Sequence, residues 1–433
     1  MPKVLVSDAL SETAVNIFKE RGIDVDYEPG LGKDSEKLLS VIGNYDGLAV
    51  RSATKATAAV IAAAKNLKVI GRAGIGVDNI DIPAATAAGI VVMNTPFGNA
   101  ITTAEHAIAM MFALLRKIPQ ANQSTHAGKW EKSAFMGVEV YRKTLGVIGC
   151  GNIGSIVADR AIGLKMRVVA YDPFLTEERA IELGVEKVDL DTLLSRADIV
   201  TLHTPLTDKT RNILSAENLA KMKKGAYVVN CARGGLLDEA ALSDALDSGH
   251  IAGAALDVYA VEPAREHPLF GHPHVVATPH LGASTREAQE NVAIQIAEQM
   301  SDFLKRGALS NALNSPSVTA DEAPRLKPFI ALAKNLGAFA GQLTETGIKK
   351  IEITYEGDVA ALNTKSLTAY VVASVLKPML TGVNVVNAQV IAKERGVSVA
   401  EICRDDADSY DSIIRLRVVT EKQDRTVSGT IFG

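Results

Sequence analysis

"LGVIGCGNIGSIVADRAIGLKMRVVAYDPF", residues 145–174, decides the fold. It begins as an apolar run of strand length, turns at three glycines, continues as a helical pattern and ends in a second apolar run closed by Asp172. Gly149, Gly151 and Gly154 stand in G-x-G-x-x-G spacing. Glycines alone mark many turns, but a strand before them and a helix after them make this a dinucleotide-binding arrangement. The first glycine permits the tight turn, the second admits a pyrophosphate to the backbone, and the third lets helix and strand pack closely. Free N–H groups at the helix start then face the phosphates. Asp172 follows about 20 residues on, where a carboxylate accepts from ribose hydroxyls and repels a 2′-phosphate, so NAD is expected rather than NADP.

Strand candidates extend on both sides of this stretch. After it come "DIVTLHT" (198–204), "AYVVNCA" (226–232), "IAGAALDV" (251–258) and "VVATPH" (275–280), with helical segments between most of them. Before it, "KVLVSD" (3–8), "DGLAVRS" (46–52), "LKVIGRAG" (67–74) and "IVVMN" (90–94) alternate with helical patterns, the first of which is capped by Ser11 and stopped at Gly22. Runs that are apolar on both faces and spaced by helices predict parallel sheets covered on both sides. A break at "NTPFGNAITT" (94–103) separates the two units, and a helical stretch from about Thr102 to Leu115 follows. The long amphipathic "STREAQENVAIQIAEQMSDFLKRG" (284–307) leads back to the first. Beyond it, "DEAPRLKPFIALAKNLGAFAGQL" (321–343) reads as helix, and "KKIEITYEG" (349–357) and "IIRLRVVTE" (413–421) as strands.

The expected architecture is therefore α/β, with two Rossmann-like or flavodoxin-like parallel-sheet units and an α+β C-terminal domain. Residues 1–97 and 284–314 form a discontinuous substrate lobe, 98–283 the NAD-binding unit, and 315–433 the third domain. A chain of 433 residues exceeds one compact core, which agrees with such a division. A net charge of −4 leaves no electrostatic footprint for nucleic acid or an anionic membrane surface. "MPKVLVSDAL" lacks the pattern of a secretory leader, and no uninterrupted apolar stretch approaches the ~18 residues of a membrane span. Cys150, Cys231 and Cys403 are odd in number and in no C-x-x-C arrangement, so a reducing cytoplasm is expected, with neither disulfide nor metal.

Arg233, Glu262 and His280 fall near the ends of the later strand candidates, where an open parallel sheet places its ligand crevice. Taken singly, His280 could be a satisfied core histidine and Arg233 a surface arginine. Beside a nicotinamide they make a chemical set. Moving a hydride from a carbinol carbon requires a proton to move at its oxygen, which an imidazole does in both directions near neutral pH. A carboxylate such as Glu262 fixes the tautomer and supports the imidazolium. A guanidinium clamps a substrate carboxylate with two parallel bonds.

"NCARGGLLDEAAL" (230–242), "ALDVYAVEP" (255–263) and "ATPHLGAST" (277–285) resemble the signature blocks of the D-isomer-specific 2-hydroxyacid dehydrogenases. "RSATK", "GRAGIGVDNIDIPAAT", "NTPFGNAITTAEHA" and "GKWEKSAFMGVEVYRKTLGVIGCGNIG" are similar to the members that oxidise 3-phospho-D-glycerate. The resemblance covers residues 1 to about 314. It implies Arg233 as the substrate-orienting residue and His280 as the general acid/base, with Glu262 as its partner. It further implies cofactor contacts from Ile75, Asn152, Ile153, Asp172, Thr204, Pro205, Cys231, Ala232, Arg233, Asp257, His280, Leu281, Gly282 and Ala283. Arg51, Arg72, Asn99 and Lys132 would hold the substrate phosphate and carboxylate, and the Gly74 loop could add backbone N–H groups. A homo-oligomer, a dimer or tetramer, is also implied. Residues from 315 on are similar to the regulatory domain of long members of that branch. There the chain stops at "TVSGTIFG" before an ACT-like segment, so serine feedback is not carried over. Two rivals remain at this point: a sister enzyme acting on glycerate, lactate or 2-hydroxyglutarate, and an NAD-sensing corepressor-like scaffold.

Overall fold

A computed structural model describes residues 1–318, 322–406 and 410–432. The chain forms two compact units, one made of Met1–Gly98 with Gln289–Gly433 and the other of Asn99–Ala288.

In the first unit, β1 (Lys3–Val6), β2 (Asp24–Tyr27), β3 (Gly47–Val50), β4 (Val69–Arg72) and β5 (Val91–Met93) build a parallel sheet in the order β2-β1-β3-β4-β5. The inner strands are the apolar runs expected from the sequence, and every residue of β3 is buried. β2 was not expected. Its sequence, Asp-Val-Asp-Tyr, is polar because it lies at the sheet edge, where acids discourage further pairing. Helix Glu12–Glu20 starts as anticipated, with the Ser11 hydroxyl accepting from the Ala14 N–H, and the chain leaves it through Gly22 at φ +69°.

The second unit carries the glycine-rich stretch. β6 (Thr144–Ile148), β7 (Arg167–Tyr171), β8 (Glu186–Lys187), β9 (Ile199–Leu202), β10 (Ala226–Asn230), β11 (Ile251–Leu256) and β12 (Val275–Ala277) are all parallel, in the order β12-β11-β10-β9-β6-β7-β8. Strand order reverses beside β6, which has β7 on one side and β9 on the other. In such a sheet the crevice outside the carboxyl ends at that point receives the ligand. Helices Ala100–Leu115 and Asn152–Gly163 cover one face through Ala104, Ala107, Met111, Val157 and Ala161. Leu193, Leu219, Leu242 and Leu246 cover the other.

From Gln289 onward helix Arg286–Arg306 belongs to the first unit, where Asp302 accepts a 2.8 Å bond from Arg21. A second sheet follows, with β13 (Ile348–Gly357), β14 (Ser398–Arg404), β15 (Ser412–Thr420) and β16 (Asp424–Gly429) in the order β14-β13-β15-β16. Only β13 and β14 are parallel. Helices Ala323–Gln342 and Thr364–Leu376 pack on it; Asp321, where the sequence places the start of the first, lies outside the described residues. One apolar cluster runs without interruption from Val4 and Phe18 to Tyr355 and Val371. Asn384 and Asn387 add amide bonds to the carbonyls of Gly89 and Ala87, at 3.2 and 3.3 Å.

Candidate active site

The glycine turn has the three-part geometry its spacing predicts. Gly149 takes φ +89° and donates its N–H to the Tyr171 carbonyl at 2.8 Å, and a Cβ there would lie 2.6 Å from the His203 carbonyl oxygen. A Cβ on Gly154 would lie 2.0 Å from the Gly149 carbonyl oxygen, so helix and turn are in contact. Around Gly151 a Cβ would meet nothing within 4 Å. Helix Asn152–Gly163, which contains Asn152 and Ile153, opens onto that gap. A cradle that glycine keeps clear at a helix N-terminus fits a dinucleotide pyrophosphate. Asp172, just past β7, accepts from the N–H groups of Cys150 and Phe174, both at 2.8 Å, and so sits against the turn. Cys150 and Cys231 are buried free thiols, and burial pushes the Cys150 pKa up to about 11.

Arg233, Glu262 and His280 come together beyond β10, β11 and β12. His280 Nδ1 and Glu262 Oε2 are 2.6 Å apart. The other carboxylate oxygen accepts from the Tyr259 N–H at 3.1 Å. Burial alone would raise the Glu262 pKa. The bonds from His280 and Tyr259, with the charges of His280 and Arg233, outweigh it and hold the carboxyl below its ordinary value. Gly234 makes this convergence possible, since a Cβ there would fall 1.8 Å from the Tyr259 carbonyl oxygen. A side chain at 234 would push the arginine turn away from the segment that carries Glu262.

Several supports escape sequence reasoning. Asn230, buried at the end of β10, accepts from the Ala232 N–H at 3.1 Å and donates to the Arg233 carbonyl at 2.9 Å. That pair of bonds fixes the bend that presents Arg233. Glu239 accepts from the Ala260 N–H at 2.8 Å and lies 2.9 Å from His267 Nε2, which steadies the loop around Glu262. Asp257 is fully buried. Its carboxylate accepts from the Thr278 hydroxyl at 2.6 Å, the Leu281 N–H at 2.7 Å and the Gly282 N–H at 2.8 Å, and His106 Nε2 lies 3.2 Å away. The turn bearing His280 is thus tied to the end of β11. His280 itself takes φ +56°, a left-handed conformation uncommon for residues other than glycine, which this anchoring maintains. A polar residue at a strand end gives the only sequence signal for these roles, because the groups it bonds are set by the fold.

The remaining expected residues are distributed between the units. Thr204 and Pro205 follow β9, and Ala283 closes the turn after His280. Asn99 precedes helix Ala100–Leu115, and its side-chain oxygen is buried with no hydrogen-bond donor among the described residues. Lys132 lies on an exposed segment, its ammonium 5.8 Å from the Trp130 ring centroid, and no described contact joins it to Arg233, Glu262 or His280. In the first unit, Arg51 donates its N–H to the buried Asp8 and its guanidinium to the Ala9 carbonyl. Arg72 ends β4 and folds over Gly74, where a Cβ would lie 2.1 Å from Nη1. Ile75 follows, its carbonyl accepting from the Asn94 amide at 2.7 Å.

Residues 108–282 match the family model described as the D-isomer specific 2-hydroxyacid dehydrogenase NAD binding domain, and residues 325–433 match that of the D-3-phosphoglycerate dehydrogenase intervening domain. The D-3-phosphoglycerate dehydrogenase of Archaeoglobus fulgidus is 45% identical over 433 residues, covering 100% of this chain and 82% of its own. That of Bacillus subtilis is 44% identical over 431 residues, with 99% and 81% covered. Among solved structures, a glyoxylate reductase from Paecilomyes thermophila superposes with a TM-score of 0.67 at 32% identity, over 72% of this chain and 98% of that one.

Proposed function

The chain belongs to the D-isomer-specific 2-hydroxyacid dehydrogenases, on their D-3-phosphoglycerate dehydrogenase branch, and from that membership we infer its reaction. It oxidises 3-phospho-D-glycerate at C2 to 3-phosphooxypyruvate, the entry step to L-serine. One contact carries the chemical assignment: the 2.6 Å pair between His280 Nδ1 and Glu262. With Glu262 ionised, Nδ1 must be the donor, which leaves the Nε2 lone pair of the neutral ring free. Nε2 is therefore the atom that removes the C2 hydroxyl proton, and Glu262 supports the imidazolium that results. The C2–H bond breaks with its electron pair, and a bound nicotinamide supplies the acceptor. Arg233 grips the substrate carboxylate with parallel N–H bonds and polarises the reacting centre.

NAD is preferred over NADP because the Asp172 carboxylate stands against the glycine turn, where it would repel a 2′-phosphate. Arg51 and Arg72, with the Gly74 backbone, Asn99 and Lys132, are assigned to the substrate phosphate and carboxylate; the orphaned Asn99 oxygen supports a polar ligand there. A second copy of the chain is expected to cover the exposed apolar residues Ile118, Trp130, Met136 and Tyr141 of the nucleotide-binding unit. Three free thiols, two of them buried, suit a reducing cytoplasm.

The deciding experiment follows NADH formation from 3-phosphoglycerate and from glycerate, using wild type, Arg51→Ala and Arg72→Ala. The expected result is turnover with NAD, and a rise in KM for phosphoglycerate of roughly tenfold or more in each variant, with little change for glycerate. Equal losses on both substrates would remove the phosphate assignment. Preference for NADP would remove the role of Asp172.

A further inference from the structure

Helix Ala100–Leu115 does more than cover the sheet. Thr103, His106 and Met110 lie along one side of it, and all three approach the segment 278–282. A Cβ on Gly282 would stand 3.3 Å from the Thr103 methyl, and Met110 Sδ lies 3.7 Å from the Thr278 hydroxyl. His106 Nε2 lies 3.2 Å from Asp257 Oδ1 and 3.5 Å from Thr278 Oγ1.

Asp257 is the centre of this arrangement. It is wholly buried, and among the described residues it has neither a lysine nor an arginine within ion-pair distance. Burial by itself would raise its pKa. The hydrogen bonds from His106, Thr278 and Leu281 prevail and hold it below the ordinary carboxylate range. An ionised carboxylate only accepts, so the His106 nitrogen facing it carries a hydrogen. The Thr278 hydroxyl spends its one proton on Asp257, and its contact with His106 is then as an acceptor. Four donors therefore meet one buried carboxylate, and two of them are the backbone N–H groups next to His280.

We infer that His106 is a positioning residue for the dehydrogenase reaction. Its N–H bond to Asp257 keeps that carboxylate where it can hold the Leu281 and Gly282 N–H groups, and so sets the turn from which His280 reaches the substrate. This rests on the reading of His280 as the proton-transfer residue. His106 touches neither His280 nor Glu262 in the described contacts and acts through Asp257 alone. Without its donor, one oxygen of a buried carboxylate loses a partner, and the turn it holds is free to shift. Proton transfer tolerates little displacement of the base, whereas substrate binding by Arg233 is untouched.

The test compares His106→Ala and His106→Gln with wild type in the full chain. Glutamine keeps an N–H donor that can reach the Asp257 oxygen; alanine does not. His106→Ala is expected to lower kcat for phosphoglycerate roughly 10- to 100-fold with KM nearly unchanged, and His106→Gln to recover most of it. A second readout needs no substrate. In 15N-histidine-labelled protein, the downfield proton of the His280–Glu262 bond is expected to broaden or move in His106→Ala and to return in His106→Gln. Equal loss in both variants, a change in KM alone, or an unmoved His280 signal in His106→Ala would overturn the positioning role. If wild type fails to oxidise phosphoglycerate while the His280 signal still follows the His106 substitutions, the reaction assignment falls and the positioning link stands.

Discussion

Glu262 works against its own surroundings. Burial favours its neutral form, yet His280, Tyr259 and Arg233 keep the carboxyl's folded-state pKa below the ordinary value. A depressed pKa contributes stability that is fully present above the unfolded value and is lost as pH falls through the folded one. Urea unfolding of wild type and Glu262→Gln should therefore differ at neutral pH, and the gap should close from about pH 4 downward, where an unfolded glutamate begins to bind its proton. A gap that persists unchanged to strong acid would mean packing, not charge, separates the two proteins. Arg233, Glu262 and His280 were legible in the sequence because each follows an apolar run that could only be a core strand. Asn230, Glu239 and His106 were not, since each works through a partner that only folding brings near. The sequence offers Asp257 as a cofactor contact, whereas its bonds to the Leu281 and Gly282 N–H groups of the His280 turn emerge only in the fold.

At the scale of elements, the glycine turn separates two duties. Gly154 faces the Gly149 carbonyl, whereas Gly151 faces open space. Gly154→Ala should therefore destabilise the fold by about 1–3 kcal/mol and weaken NADH binding together. Gly151→Ala should leave the melting temperature within a degree or two, yet reduce NADH affinity at least tenfold in a fluorescence titration, because the methyl group occupies the pyrophosphate's approach. If Gly151→Ala binds NADH normally, the cradle lies elsewhere. The same scale explains which strands the sequence concealed. β2, β8, β14 and β16 are all at sheet edges, and their residues are mostly exposed or half-buried. Each of these four needs only one neighbour and carries charged and small polar residues instead of an apolar run, which discourages further pairing. The inner strands, and the apolar edge strands β5 and β12, announce themselves by composition, whereas these four follow from pairing with strands already in place.

Across the whole molecule, four of the exposed large apolar residues of the nucleotide-binding unit fall in one span of chain, residues 118–141. Ile118 is 52% exposed, Trp130 80%, Met136 78% and Tyr141 57%, and helix Ile118–His126 buries none of its residues. A helix and three large side chains left this bare imply a covering surface. Sedimentation velocity should show a dimer or larger species for wild type, and Trp130→Ser combined with Ile118→Asp should shift it toward the single chain. A monomeric wild type would end that expectation. The first unit carries its own consequence. Its shared apolar cluster binds residues 1–98 to residues 289–433, although nearly half the chain lies between them in sequence. Partnership here is decided by oil, not by order along the backbone. A single protease nick in the segment that leads from helix Arg286–Arg306 to the second sheet would thus give two peptides on a denaturing gel that still elute as one particle. The severed tail would stay bound to residues 1–98 with no covalent tether.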